Sequence, residues 1–145
     1  MRDLATRFDC RIEGIETLVD RLRSLGVEPG LRFEEPQPTI QYIHRRSGDK
    51  DIYLLRNRVA EASAAKMMFP LAGRVPTLLD PWTGEVEAAP CYVKRNEGIE
   101  MTIAFAPYES KVVLLEAVDT QPLHVVQGDL DIGWRDGKLV ARGRD

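Results

Sequence analysis

Residues 39–57 read TIQYIHRRSGDKDIYLLRN, and the fold is decided in this stretch. Ile40, Tyr42 and His44 alternate with Thr39, Gln41 and Ile43. That period of two suits a strand, whose successive side chains point to opposite faces. Ser47-Gly-Asp-Lys50 then supplies turn residues, and Asp51-Ile-Tyr-Leu-Leu55 resumes the run. Two such runs about a glycine-containing turn predict a β-hairpin.

The same texture continues toward the C-terminus. Strand-like runs cover residues 65–71, 75–79, 85–93, 99–106 and 111–116. Pro81-Trp-Thr-Gly84, Arg95-Asn-Glu-Gly98 and Pro107-Tyr-Glu-Ser110 mark turns between them. Residues 130–135 and 138–142 flank Asp136-Gly137, the pair that a type I′ hairpin turn favours. Short strands about ten residues apart, with turn signals between them, predict an antiparallel β-sandwich. There is no internal repeat and no low-complexity tract.

Toward the N-terminus the period changes. Ile12, Ile15, Leu18, Val19, Leu22 and Leu25 fall on one face of a helix over residues 12–25. Glu13 and Glu16 sit early and Arg21 and Arg23 late, which suits the helix dipole. Gly26 follows as a C-terminal stop, and Pro29, Pro36 and Pro38 keep the connector extended. The expected fold is therefore mainly β, an antiparallel β-sandwich preceded by one amphipathic α-helix. Residues 1–38 would be helix and Pro-rich connector, the tail of a preceding unit, and residues 39–118 the sandwich. Residues 119–145 would be an extension whose terminal hairpin resembles the start of a further domain. Such a chain reads as an excised segment.

Composition narrows the function. A chain of 145 residues with 43% hydrophobic and 30% charged residues is a one-domain globular mix. Lys and Arg number 20 against 23 Asp and Glu, a net charge of −3, so the basic excess of a nucleic-acid binder is missing. Uncharged stretches such as residues 67–73 fall far short of the ~20 apolar residues that span a bilayer. Cys10 and Cys91 stand too far apart for a zinc ribbon, and read as core thiols or one disulfide. Residues 1–9 carry no apolar leader core; for a segment this leaves the parent's compartment open.

Chemistry-bearing constellations are sparse. Asp49, Asp51, Asp80, Glu85, Glu97 and Asp136 sit in turns or at alternating polar positions, where solvated acids are ordinary. No opposed pair for glycoside hydrolysis can be named among them. His44 and His124 have no nucleophile elbow nearby and read as hydrogen-bonded structural histidines. The eleven glycines form no phosphate cradle. Residues 47–51 offer too few acids for the six or more oxygens of a calcium site, so neither cofactor nor metal is expected. Trp82, Tyr108 and Trp134 stand at turns or strand ends, where exposed rings could stack on sugar.

The order of phrases carries a resemblance. Ile40-Gln-Tyr-Ile-His-Arg-Arg46 is followed by Gly48-Asp-Lys-Asp-Ile-Tyr-Leu-Leu-Arg-Asn57, then by residues 69–73. Val75-Pro-Thr-Leu-Leu-Asp-Pro-Trp-Thr-Gly84 and Phe105-Ala-Pro-Tyr-Glu-Ser110 complete the series. This resembles the segment after the catalytic barrel in large bacterial alpha-L-rhamnosidase-like enzymes, glycoside hydrolase family 106. Leu22-Arg-Ser-Leu-Gly-Val-Glu-Pro29 is similar to the end of the preceding unit there, so the likeness runs over roughly residues 15–116. Where the family has a Tyr-Phe-Val-x-Asn strand, this chain has Tyr53-Leu-Leu-Arg-Asn57. The resemblance implies a parent that hydrolyses terminal rhamnosides, with this chain as a non-catalytic supporting sandwich. Its partner would be the parent's catalytic barrel, which the chain lacks, so no catalytic residue carries over. The alternatives are an independent structural domain, or a carbohydrate-binding module with Trp82, Tyr108 or Trp134 on the sugar and Arg45 or Arg46 at the rim.

Overall fold

The hairpin expected over residues 39–57 forms as β2 (Ile40–Ser47) and β3 (Lys50–Asn57), paired antiparallel from Ile40 opposite Asn57 to Ser47 opposite Lys50. Gly48, at φ 61, opens the two-residue loop, and Asp49 keeps a negative φ, which makes a type II′ turn. The structure, a computed structural model, describes residues 14–119, 122–126 and 130–143. The other elements are α1 (Ile15–Ser24), β1 (Arg32–Phe33), β4 (Ser63–Phe69), β5 (Val75–Leu79), β6 (Val86–Ala88) and β7 (Val93–Arg95). They are followed by β8 (Gly98–Phe105), β9 (Ser110–Glu116), β10 (Leu130–Arg135) and β11 (Lys138–Gly143).

Two antiparallel sheets stack as expected. One has the order β1-β4-β8-β7 and the other β2-β3-β9-β5-β6, while β10 and β11 form a separate hairpin. Asp136 at φ 50 and Gly137 at φ 70 give that hairpin its type I′ turn. The inner faces follow from strand alternation. Tyr53, Leu55, Val113 and Leu115 from the five-stranded sheet meet Ala65, Met67, Phe69, Ile99, Met101, Ile103 and Phe105 from the four-stranded one. Tyr53 and Phe69 touch across the interlayer edge to face, with ring centroids 4.9 Å apart. Gly98 is required where β8 begins, because a Cβ there would lie 1.9 Å from the Phe69 carbonyl oxygen.

The outer face of the five-stranded sheet breaks the usual polar alternation. Register places Ile43 opposite Leu54, Leu54 opposite Val112, Val112 opposite Leu79 and Leu79 opposite Val86. One apolar row therefore crosses all five strands on the side away from the core. Ile43 is 57% exposed and Val86 60% exposed.

Several expectations shift in detail. The single strand read over residues 85–93 divides, because the chain leaves one sheet after β6 and joins the other at β7. Pro90, which has no N–H to give a ladder, sits at the crossing. Part of the connector joins the sandwich: β1 pairs with β4, and Leu31 is buried in the core. The helix appears as α1, with Gly26 at φ 73 as its stop. Its apolar face stays open, with Val19, Leu22 and Leu25 all exposed. Ile12 and Cys10 lie outside the described residues.

Candidate functional site

Polar side chains gather at the two ends of the sandwich and at one side opening. The first end is the β2–β3 turn. Asp51, read from sequence as a solvated turn acid, is 1% exposed. It shares the inward parity of Tyr53, Leu55 and Asn57, so the pleat carries its carboxylate inside. His44 Nε2 donates to Asp51 Oδ1 at 2.9 Å, a diagonal cross-strand contact, since His44 stands opposite Tyr53 and Asp51 opposite Arg46. The His44 ring lies flat on Tyr53, with centroids 4.2 Å apart. The Tyr53 hydroxyl donates to the Gly30 carbonyl at 2.9 Å and ties the connector to the sheet. Burial, with the Asp51 carboxylate beside it, pushes the Tyr53 phenol up to about 12. Asp51 Oδ2 is buried with no hydrogen-bond donor among the described residues, and Arg46 Nε lies 3.7 Å from it. Beside this cluster Lys50 pairs with Glu116 at 2.8 Å, and Arg74 donates to the Asp49 carbonyl. A histidine–aspartate pair can hold and move a proton, but among the described residues no serine, cysteine or threonine completes a nucleophilic set around it.

The second end holds the expected rings. Trp82 is 86% exposed in the turn between β5 and β6, and Tyr108 is 58% exposed in the turn between β8 and β9. Asp80 Oδ1 accepts from the backbone N–H groups of Trp82 and Thr83, and Gly84 takes φ 75. Asn57 finishes β3 here. Its Nδ2 donates to the carbonyls of Glu61 and Ala106 at 2.7 and 3.0 Å, and its Oδ1 accepts from Val59 N–H. The Ala106 N–H donates to Glu109 Oε2 and steadies the Tyr108 corner.

Register decides which candidates meet. Leu79 lies opposite Val112 and Arg56 opposite Ser110, so Trp82 and Tyr108 share one end. Arg46 lies opposite Asp51, and Asp51 opposite Leu115, which puts Arg45 and Arg46 at the other end. About five residues of strand, roughly 17 Å, separate the two. Trp134 stands opposite Leu139 on β10, and its ring lies outside the described side chains. Trp82 and Tyr108 thus share one end of the sandwich, and Arg45 and Arg46 lie at the other.

The side opening is a cavity of about 870 Å³ where β7 stops pairing with β8 at Glu100. Lys66, Cys91, Tyr92, Glu100, Lys111 and Ile132 are among its lining. The Arg95 guanidinium, at 3.1 Å, and Lys66, at 3.4 Å, hold the Glu100 carboxyl below its usual range against the opposing effect of burial. Burial pushes the free Cys91 thiol up, away from the reactive thiolate. Tyr92 stacks on His124, with centroids 3.9 Å apart. Among the described residues no group of three or more metal-ligating side chains occurs.

Comparison with known proteins comes to the same family as the sequence phrases. A rhamnosidase from Novosphingobium sp. PP1Y superposes with a TM-score of 0.65 at 22% identity, over 81% of this chain and 11% of that one. A catalytic mutant of a GH42 beta-galactosidase from G. stearothermophilus gives 0.40 at 16% identity, over 70% of this chain and 12% of that one. The chain therefore spans about a tenth of the length of the solved rhamnosidase, and the likeness is one of fold. A search of curated proteins finds no match. The family model described as alpha-L-rhamnosidase matches residues 11–94, more than half of the 145. The chain belongs to the alpha-L-rhamnosidase glycoside hydrolase family.

Proposed function

We propose that this chain is a non-catalytic supporting β-sandwich of a large alpha-L-rhamnosidase-like glycoside hydrolase, packed against the catalytic barrel. One observation carries the reading. The polar side chains within the family phrases close on the chain's own backbone and on one another. His44 engages Asp51, Asn57 holds three backbone groups, and Asp80 caps its own turn. These contacts fix strand ends and register, which is what a scaffold requires. The open apolar face of α1 agrees with it, since a ten-residue helix is marginal in water without tertiary packing. The test is an aryl α-L-rhamnoside assay on the purified chain. No release above the blank is expected, and turnover that co-purifies with the folded chain would overturn the reading.

A second reading, carbohydrate binding, is favoured by the exposed Trp82 and Tyr108 at one end. Rings of that kind stack on the apolar faces of sugars. Titration with oligosaccharides under tryptophan fluorescence separates the two readings. A scaffold shows no saturable shift at millimolar sugar, whereas a binding module shows one that Trp82→Ala abolishes.

A further inference from the structure

We propose that the hairpin β10–β11 is a strap that closes over the side opening, the free edge of β10 pairing with the open edge of β8. The inference goes beyond the supporting-sandwich reading and does not depend on it. Strand parity shows which backbone groups are open. The Glu34 N–H donates to the Lys66 carbonyl, so Lys66 turns its backbone groups toward β1 and Met67 turns its own toward β8. Met101 and Ile103, opposite Met67 and Ala65, therefore bond to β4, and Glu100, Thr102 and Ala104 face the other way. Glu100 meets Val93 of β7 there, but β7 pairs no further along. The N–H and C=O groups of Thr102 and Ala104 are left with no strand beside them among the described residues. β10 has a matching edge. Arg135 and Lys138 flank a two-residue turn and exchange both their hydrogen bonds, so Gly133 also faces β11. Ile132 and Trp134 turn their backbone groups away from it, and among the described residues β10 and β11 pair only with each other.

The two open edges border the same space. Thr102 and Ala104 line the cavity of about 870 Å³ from one side, and Ile132 and Gly133 line it from another. β10 rather than β11 is therefore the strand of the hairpin nearer to β8. An unpaired strand edge is a template for a further strand, and here each edge has the other within one cavity. On closure β10 takes the length of β8 that β7 leaves free, so that Ile132 comes opposite Thr102 or Ala104. The lining favours this. Leu78, Val126 and Ile132 are apolar, Val126 is 57% exposed, and closure withdraws them from water. Charge does not oppose it, because Lys66 and Arg95 are already held on Glu100 and Lys111 on Glu109.

The experiment is amide hydrogen exchange on the full chain, read residue by residue by NMR. Closure hydrogen-bonds the Thr102 and Ala104 amides, so each is expected to exchange at least tenfold more slowly than an unstructured amide. Ile132→Pro removes the N–H that faces away from β11 and spares the bonds that Gly133 and Arg135 make to it. This variant is expected to return Thr102 and Ala104 to the unstructured rate, whereas Ile132→Ala, which keeps the N–H, leaves them slow. Unprotected Thr102 and Ala104 amides in the wild-type chain, or protection that Ile132→Pro leaves unchanged, would overturn the proposal. The Val140 amide, opposite Gly133, reports whether the hairpin itself survives the proline. If it does not, cross-linking decides. Thr102→Cys and Ala104→Cys are each combined with Ile132→Cys in a chain that carries Cys10→Ser and Cys91→Ser. A disulfide needs Cα atoms within about 7 Å, so one of the two pairs is expected to oxidise within the monomer. If both pairs stay reduced, the strap does not close.

Discussion

Asp51 and Asn57 sit at opposite ends of β3, and each is buried because the pleat turns it inward with Tyr53 and Leu55. Their fates differ. Asn57 finds three backbone partners, whereas Asp51 has one oxygen on His44 and the other without a donor among the described residues. Replacing Asn57 with alanine leaves the Glu61 and Ala106 carbonyls without their buried donor. Asn57→Ala should cost about 2–4 kcal/mol, measured by urea unfolding. A loss under ~1 kcal/mol would mean that water replaces the side chain at that corner. Tyr53 gives a pH signature. Its pKa is raised in the fold from 10.0 to about 12, so the folded state holds its proton longer than the unfolded chain does. The stability it contributes is complete below pH 10 and is lost as pH rises toward 12, at about 1.4 kcal/mol per pH unit. Lys50, raised by its hydrogen bond and attraction to Glu116, acts in the same direction at alkaline pH. Denaturation at stepped pH should show the decline, and Tyr53→Phe should flatten it.

Elements were legible where the local chemistry is strict. Gly48 and Asp136-Gly137 allow few turn geometries, and both hairpins form on them. Asp80-Pro-Trp-Thr-Gly84 closes its turn through Asp80 and Gly84, as their residue types dictate. Residues 85–93 misled because alternation reports a strand but not which sheet it joins, and the switch at Pro90 is a tertiary event. β1 was hidden for a related reason: Arg32 and Phe33 carry no strand pattern of their own and pair only because β4 is there. The burial of Asp51 was readable in principle from its parity with Tyr53 and Leu55, but its position beside a turn masked it. The outer row could not be seen at all, since Ile43, Leu54, Val112, Leu79 and Val86 become neighbours only through register. The α1 face was legible, and its lack of cover was not. Because Leu22 is exposed, Leu22→Glu should change stability of the isolated chain by no more than ~0.5 kcal/mol in urea unfolding. A loss of 2 kcal/mol or more would place the helix against the sandwich in solution.

At the scale of the molecule, two stacked sheets hold their polar groups in cross-strand and corner contacts and leave apolar surface outside. α1 presents one such surface and the five-stranded sheet another. The candidate site was less legible than the fold because Trp82 and Tyr108 stand about five strand residues away from Arg45 and Arg46, which only the register reveals. The most direct measurement is turnover of an aryl α-L-rhamnoside by the purified chain, read beside its circular dichroism melt. The account predicts a cooperative melt and no release above the blank. Turnover that co-purifies with the folded chain would contradict it.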